Sequence, residues 1–402
     1  MTSNKSILLV AWFFYPKLGG AEMIVLNQAR YLRDSGYDVS VLTSTVKGLE
    51  ADDSFDGIKI FRRDFINSSV SYPADEIVAN LEKIFARTEI KIVHFHNGSY
   101  PAASTDMYAG AENIKTIYEF ARLHNCKVVE HSHNAQLKDP VATKQLRELD
   151  WDCVICVSNF VKQKWIEFGN QAKDLRVVYN GIDLSKFNHV QADPSVDKLR
   201  LTIDGKLIFF PARVVSMTQG AISKQKNFIL LLAACKKLLE LGITNFRLIA
   251  ILNESEKEQK TKKANRVLGD LLCVYDLGDH ITFIPTVMPD DMPKMYAAVD
   301  IICVPSLYET FGLVYIETMA SGKVAIASNT GGPTEYIKNG KNGFIVDPNS
   351  PDDLSEILYE VLTDEKLNEK IRRNGLATAK KFSVETMMTK IEAIYKKLLE
   401  EK

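Results

Sequence analysis

The sequence has little that would mark a secreted, membrane-spanning or polyanion-binding protein. Its six cysteines, at 126, 153, 156, 235, 273 and 303 of 402 residues, are too sparse for a disulfide framework and fit a reducing, cytoplasmic setting. No apolar run near the start approaches the roughly 20 residues needed to span a bilayer. Ile7 to Phe14 has eight, and Tyr15-Pro16-Lys17 follows without a small-residue cleavage site, so a buried first strand is expected there rather than a leader. An excess of one charge is missing too. Fifty basic residues face 51 acidic ones, with 21 against 23 up to Asp183 and 29 against 28 beyond it. That balance argues against nucleic acid as a partner and leaves room only for weak peripheral contact with a membrane.

What the chain does have is length and alternation. Single cores stop growing at roughly 250 to 300 residues, so two domains with a cleft between them are expected. Apolar runs of four to eight residues alternate with amphipathic helical stretches, the pattern of parallel sheets covered on both faces. In the first half the strand candidates are Ile7 to Phe13, Val39 to Thr43, Ile92 to Phe95, Lys127 to His131, Cys153 to Val157 and Arg176 to Tyr179. In the second they are Leu207 to Phe210, Phe246 to Leu252, Ile281 to Ile284, Ile301 to Val304, Val324 to Ala327 and Phe344 to Val346, followed by three helical stretches. The periodicity lapses from His189 to Gly205, through Asp193-Pro194-Ser195 and Asp204-Gly205, and the domain boundary is expected there. The expected domains are residues 1–188 and 206–382.

Three glycine turns stand between a strand and a helix, where free backbone N–H groups stabilise phosphate. They are Gly19-Gly20, the segment Pro305 to Glu317 with Gly312 inside it, and Gly331-Gly332-Pro333. An anionic ligand is expected at them. In the second segment Glu309 belongs to the loop and Glu317 to the helix. Two glutamates at this spacing would be ordinary surface carboxylates if they stood alone.

Taken in order, these pieces resemble the retaining nucleotide-sugar glycosyltransferases of family 4, which have the GT-B fold of two Rossmann-like domains with parallel sheets facing a central cleft. The resemblance runs through Gly19-Gly20-Ala21-Glu22, Val93-His94-Phe95-His96, His131-Ser132-His133-Asn134, Tyr179-Asn180-Gly181-Ile182-Asp183 with Phe187, Pro305 to Glu317, and Gly331-Gly332-Pro333-Thr334-Glu335. It implies a donor domain in the second half, an acceptor side in the first, and a C-terminal helix, 383–402, returning to the first domain. It also implies transfer of a sugar from a nucleotide diphosphate sugar, UDP-sugar by default, to a hydroxyl with retention and without metal or other cofactor. Carried over by residue, Glu317 would accept from the ribose hydroxyls and Glu309 would hold the donor sugar. Thr310, Phe311, Gly312 and Leu313 would grip sugar and diphosphate, and Gly19 and Gly20 would close over the phosphates. Arg213 and Lys226 would balance the leaving diphosphate, and His133 would reach the sugar. Lys224 rivals Lys226. Residues 214–225 between the basic pair exceed the family's spacing, as either a lid or a longer surface loop. The acceptor, a sugar, a lipid-linked glycan or a small metabolite, is open.

Other constellations point elsewhere. His94, His96, His131 and His133 stand at two strand ends and could bind metal, so a metal-dependent hydrolase is the alternative reading, with a non-catalytic sugar-nucleotide binder as a third. Cys153 and Cys156 have a metal-like spacing but sit in an expected buried strand, where residues three apart face opposite ways. Asp150-Trp151-Asp152 is expected to be structural.

Overall fold

The computed structural model describes residues 5–66, 70–98, 107–134, 140–169, 172–202, 205–212, 214, 222–252 and 258–400. The chain forms two compact units, one from residues 1–182 together with 383–402 and the other from 183–382. Each is an open, mostly parallel sheet packed between helices.

In the first unit the strands are β1 (Ser6–Ala11), β2 (Asp38–Thr43), β3 (Asp52–Phe55), β4 (Ile58–Arg62), β5 (Ile92–His96), β6 (Lys127–Ser132), β7 (Cys153–Cys156) and β8 (Leu175–Val177). Their order across the sheet is β3-β4-β2-β1-β5-β6-β7-β8, with only the β3–β4 pair antiparallel. β1 lies between β2 and β5, in register Leu8 with Ser40 on one side and Val93 on the other. The winding reverses beside β1, and in sheets of this kind the crevice at the carboxyl ends of the reversing strands is the ligand position. The central strands are buried on both faces, which is why they read as continuous apolar runs. β3 and β4 had no place in the sequence reading. β3 is polar and largely exposed, and the Asp56-Gly57 turn that joins the two, both residues at positive φ, was the available signal.

The second unit contains β9 (Lys206–Phe210), β10 (Phe246–Ile251), β11 (Ile281–Ile284), β12 (Ile301–Val304), β13 (Val324–Ser328) and β14 (Phe344–Val346), ordered β11-β10-β9-β12-β13-β14 and all parallel. Here the winding reverses between β9 and β12. Residues 189–202, read as an aperiodic boundary, pack into this unit. The Arg200 guanidinium grips Asp300 at 2.9 and 3.0 Å, while Asp193 N–H donates to the Lys294 carbonyl at 3.1 Å. The division falls earlier, after Ile182, because the Arg200 side chain and the Asp193 backbone dock on the helix and loop that precede β12.

The helix Val384–Glu400 completes the first unit. Where the chain returns, Ile182 bridges Ser383, and a Cβ on Gly181 would stand 2.3 Å from the Ser383 carbonyl oxygen, so the close crossing requires glycine. Farther along the helix Tyr395 is fully buried. Gln28 Nε2 donates to its hydroxyl at 2.8 Å, and the hydroxyl is also paired with His94 Nδ1. Tyr37 donates to Glu392 at 3.0 Å. Among the described residues no helix is long and apolar enough to cross a membrane.

Tyr395→Phe keeps the ring but removes the hydroxyl that the buried Gln28 and His94 share. A loss of roughly 1–3 kcal/mol in urea unfolding is expected, and an unchanged midpoint would show that the helix is held by its apolar face alone.

Candidate functional site

The loop after β12 is built almost entirely from backbone held by other segments. Tyr315 donates its hydroxyl to the Val304 carbonyl at 2.6 Å, and Tyr336 donates to the carbonyls of Phe311 at 2.6 Å and Gly312 at 3.0 Å. Leu307 N–H donates to the Gln225 carbonyl at 2.8 Å, and the Gln225 amide donates to the Tyr308 carbonyl at 3.3 Å. Gly332 N–H donates to the Glu309 carbonyl at 3.0 Å. Gly331, at φ +73°, passes so close that a Cβ would lie 1.8 Å from that same carbonyl oxygen. No L side chain fits there.

This scaffold presents Glu309 and the start of the helix Leu313–Ala320. Glu309 Oε2 pairs with Lys226 Nζ at 2.7 Å, and its Oε1 accepts from the Thr310 N–H at 3.2 Å. Lys226 is the lysine on the carboxylate, while Lys224 is exposed. Phe311 is buried, its ring against Tyr336 and Phe382, so only its backbone is positioned for a ligand. Gly312, at φ +81°, ends the loop and Leu313 opens the helix. Glu317 follows on that helix and accepts from the Tyr296 hydroxyl at 2.7 Å. Burial pushes the Glu317 carboxyl up from its ordinary range, and the Tyr296 hydrogen bond opposes that push. Burial, then the neighbouring Glu317, raises the Tyr296 phenol well above its ordinary value, so the phenol remains a donor. Arg213 and residues 215–221 of the insertion lie outside the described residues. At the insertion's neck, Ser223 N–H donates to the Val214 carbonyl at 2.8 Å. The motif reading found Glu309, Lys226 and Glu317 but missed Tyr296 and Tyr336. A buried phenol needs a hydrogen-bond partner, yet sequence does not say which.

In the first unit Gly19 and Gly20 follow β1, Gly19 extended and Gly20 opening the helix Gly20–Asp34. The Glu22 carboxylate folds back over Gly19. The four histidines form a stack at the carboxyl ends of β5 and β6. His94 and His96 lie parallel, centroids 4.6 Å apart and planes within 4°. His131 and His133 are 4.3 Å apart at 25°. His96 Nδ1 is 3.0 Å from His133 Nε2, and His133 N–H donates to Asn97 Oδ1 at 2.8 Å. The His133 ring is therefore turned into the stack and is nearly buried.

His94, His96 and His131 each offer a nitrogen within 4.8 Å of the others. Distance alone does not make a metal site. An imidazole binds metal through a lone pair in its own ring plane at about 2.0–2.1 Å, and the parallel rings of His94 and His96 send theirs side by side instead of to one point. This arrangement gives no geometric support to the hydrolase alternative. The cysteine and aspartate pairs are likewise structural: burial pushes the Cys153 thiol up to about 12, and Asp152 Oδ2 accepts from Val128 N–H and Arg122, both at 2.8 Å.

Comparison with known proteins accords with this geometry. Residues 203–378 match the family model described as glycosyl transferases group 1, and residues 18–186 match that described as glycosyltransferase family 4. An uncharacterized glycosyltransferase of Methanocaldococcus jannaschii is 25% identical, covering 98% of both chains. A D-inositol 3-phosphate glycosyltransferase of Acidothermus cellulolyticus is 24% identical over 96% of this chain and 87% of its own. Among solved structures, sucrose-phosphate synthase from Thermosynechococcus elongatus superposes with TM-score 0.79 at 18% identity, covering 99% of this chain and 100% of its own. An Anabaena protein solved with UDP-glucose superposes at 0.75 and 20% identity, covering 98% and 99%. These likenesses show the fold to be GT-B.

The histidine stack makes a pH prediction. Burial, above all, holds His94, His96 and His131 well below their usual value and takes His133 down to about 3. In the unfolded chain all four take protons below about pH 6.5, while the folded stack does not. The contribution of the stack to stability is thus fully present above about pH 6.5 and lost progressively as pH falls toward 3. Thermal unfolding between pH 7.5 and 4 should show the melting temperature dropping, and a flat profile would contradict neutral stacked rings.

Proposed function

The chain belongs to glycosyltransferase family 4 and is a glycosyltransferase, and from that footing we propose that it moves a sugar from a UDP-sugar to a hydroxyl acceptor, with retention and without a metal ion. The observation that carries the reading is the Lys226–Glu309 pair, 2.7 Å apart at the carboxyl end of β12 beside the reversal of the second sheet, with Glu317 on the helix that follows. A cation and a sugar-binding carboxylate at a helix start suit a ligand that carries both phosphate and hydroxyls.

In this reading the second unit holds the donor and the first the acceptor. Glu317 accepts from the ribose hydroxyls. Glu309 accepts from hydroxyls of the sugar, and the backbone from Thr310 to Leu313 binds sugar and diphosphate. By the family likeness Gly19 and Gly20 are assigned to the phosphates and His133 to the sugar. The bond from the anomeric carbon to the diphosphate oxygen breaks while the acceptor oxygen bonds to that carbon on the same face. The acceptor's proton passes to the departing diphosphate. Lys226, with Arg213, balances the charge that develops there, so no protein base is required. Glu309 then serves as a binding group, unlike the nucleophilic carboxylate of a retaining hydrolase. UDP-glucose in the Anabaena neighbour supports the donor class. Free cysteines fit a cytoplasmic site of action.

A thermal-shift screen of UDP- and GDP-sugars tests the donor, since a ligand at 100 times its dissociation constant stabilises by about 2.7 kcal/mol. No shift with any nucleotide sugar would remove the reading. With a verified donor, Lys226→Ala is expected to lower the rate by roughly 100-fold, and mass spectrometry of the protein under turnover should find no glycosyl adduct on Glu309. A trapped adduct would replace front-face substitution with a covalent route.

A further inference from the structure

Tyr296 sits on the short helix Met292–Ala298 that leads into β12, outside every motif that marks the site. It is 1% exposed, its ring lying among Phe187 and Phe209, each 6.2 Å away between centroids. A phenylalanine would fill that apolar slot equally well, so packing does not explain the hydroxyl. The hydroxyl points to Glu317 Oε2 at 2.7 Å, the length of a hydrogen bond to an ionised carboxylate. Glu317 is itself half-buried, and the residues that flank it on the helix, Ile316 and Thr318, are fully buried.

We propose that Tyr296 is the positioning residue for the nucleotide carboxylate: its hydroxyl fixes the Glu317 side chain so that both oxygens keep an outward acceptor site for a vicinal diol. The inference rests on the reading of Glu317 as the ribose-binding group. An ionised carboxylate has about four lone-pair positions. Tyr296 occupies one, on Oε2, and orients the rest. A carboxylate left in a partly apolar pocket without a donor would turn away or take up a proton, and either change loses the two adjacent acceptors that a ribose needs. Tyr296 touches no reacting atom and acts through Glu317 alone. The bond also has a second effect. It favours the charged carboxylate against the burial that opposes it, so the pH at which nucleotide binding fails on acidification depends on it.

The test is a double-mutant cycle on the full chain, with UDP and GDP titrated calorimetrically into the parent, Tyr296→Phe, Glu317→Gln and the double variant. Tyr296→Phe is expected to weaken binding of the preferred nucleotide by roughly tenfold. Its acid limit for binding should move to higher pH. The double variant should bind no worse than Glu317→Gln, because the hydroxyl then has no carboxylate to orient. The 2′-deoxy nucleotide, which lacks the diol, should lose less affinity on Tyr296→Phe than the ribonucleotide does. Additive losses in the double variant, or an unmoved acid limit with unchanged affinity in Tyr296→Phe, overturn the proposal while leaving the function reading in place. Unchanged affinity in Glu317→Gln overturns the ribose assignment and the proposal with it.

Discussion

The backbone carbonyl of Glu309 is the point on which the second unit's site depends. It accepts from Gly332 while Gly331 crosses it at a separation that only a hydrogen in place of a side chain allows. That crossing locks the loop after β12 to the loop after β13. Tyr336, on the turn of helix beyond those glycines, then reaches back to two further carbonyls of the same loop. With the backbone fixed from behind, the Glu309 side chain meets Lys226 at 2.7 Å, and the helix that carries Glu317 starts at a fixed place.

The two units solve the same problem with different chemistry. Parallel strands buried on both faces leave polar groups room only in the loops at their ends, and the reversal of winding opens a gap among those loops. The second unit fills that position with opposite charges that satisfy each other. The first places neutral imidazoles there, stacked and bonded to one another and to Tyr395 of the helix Val384–Glu400, while the His133 backbone N–H is held by Asn97. Neither loop cluster presents a large uncompensated charge, in keeping with the near-zero net charge of the whole. A diphosphate entering the second unit would exchange one partner of Lys226 for another instead of meeting a bare cation.

Much of the fold was legible in the sequence because buried parallel strands leave a simple trace. Ile281–Ile284, Ile301–Val304 and Phe344–Val346 fall where their apolar runs lie. The exceptions share a cause. Exposed β3 has no apolar pattern, and residues 189–202 look like a linker because, apart from the buried Val196, they attach through the Arg200 side chain and the Asp193 backbone and not through a periodic apolar face. At the site, the glycines and glutamates could be recognised by order and spacing, since each is tied to a strand-to-helix junction. Tyr296 and Tyr336 could not. Their roles depend on which distant atom a buried hydroxyl meets, and that is settled by tertiary packing. The histidines show a different limit: alternation along β5 correctly put His94 and His96 on one face, but the relative orientation of their rings, on which metal binding depends, has no counterpart in sequence.

The returning C-terminal helix has a consequence for how the protein is made. The second unit is one uninterrupted stretch and can close its core as soon as it emerges from the ribosome. The first, although most of it is synthesised earlier, waits for Tyr395, a residue 301 positions after the His94 it must meet. Until then the buried amide of Gln28 and the imidazole of His94 lack the hydroxyl they share, and an apolar surface stays open. Domains generally fold in the order they are synthesised, and this topology departs from that order: the first unit cannot gain its last helix until the whole of the second has been made.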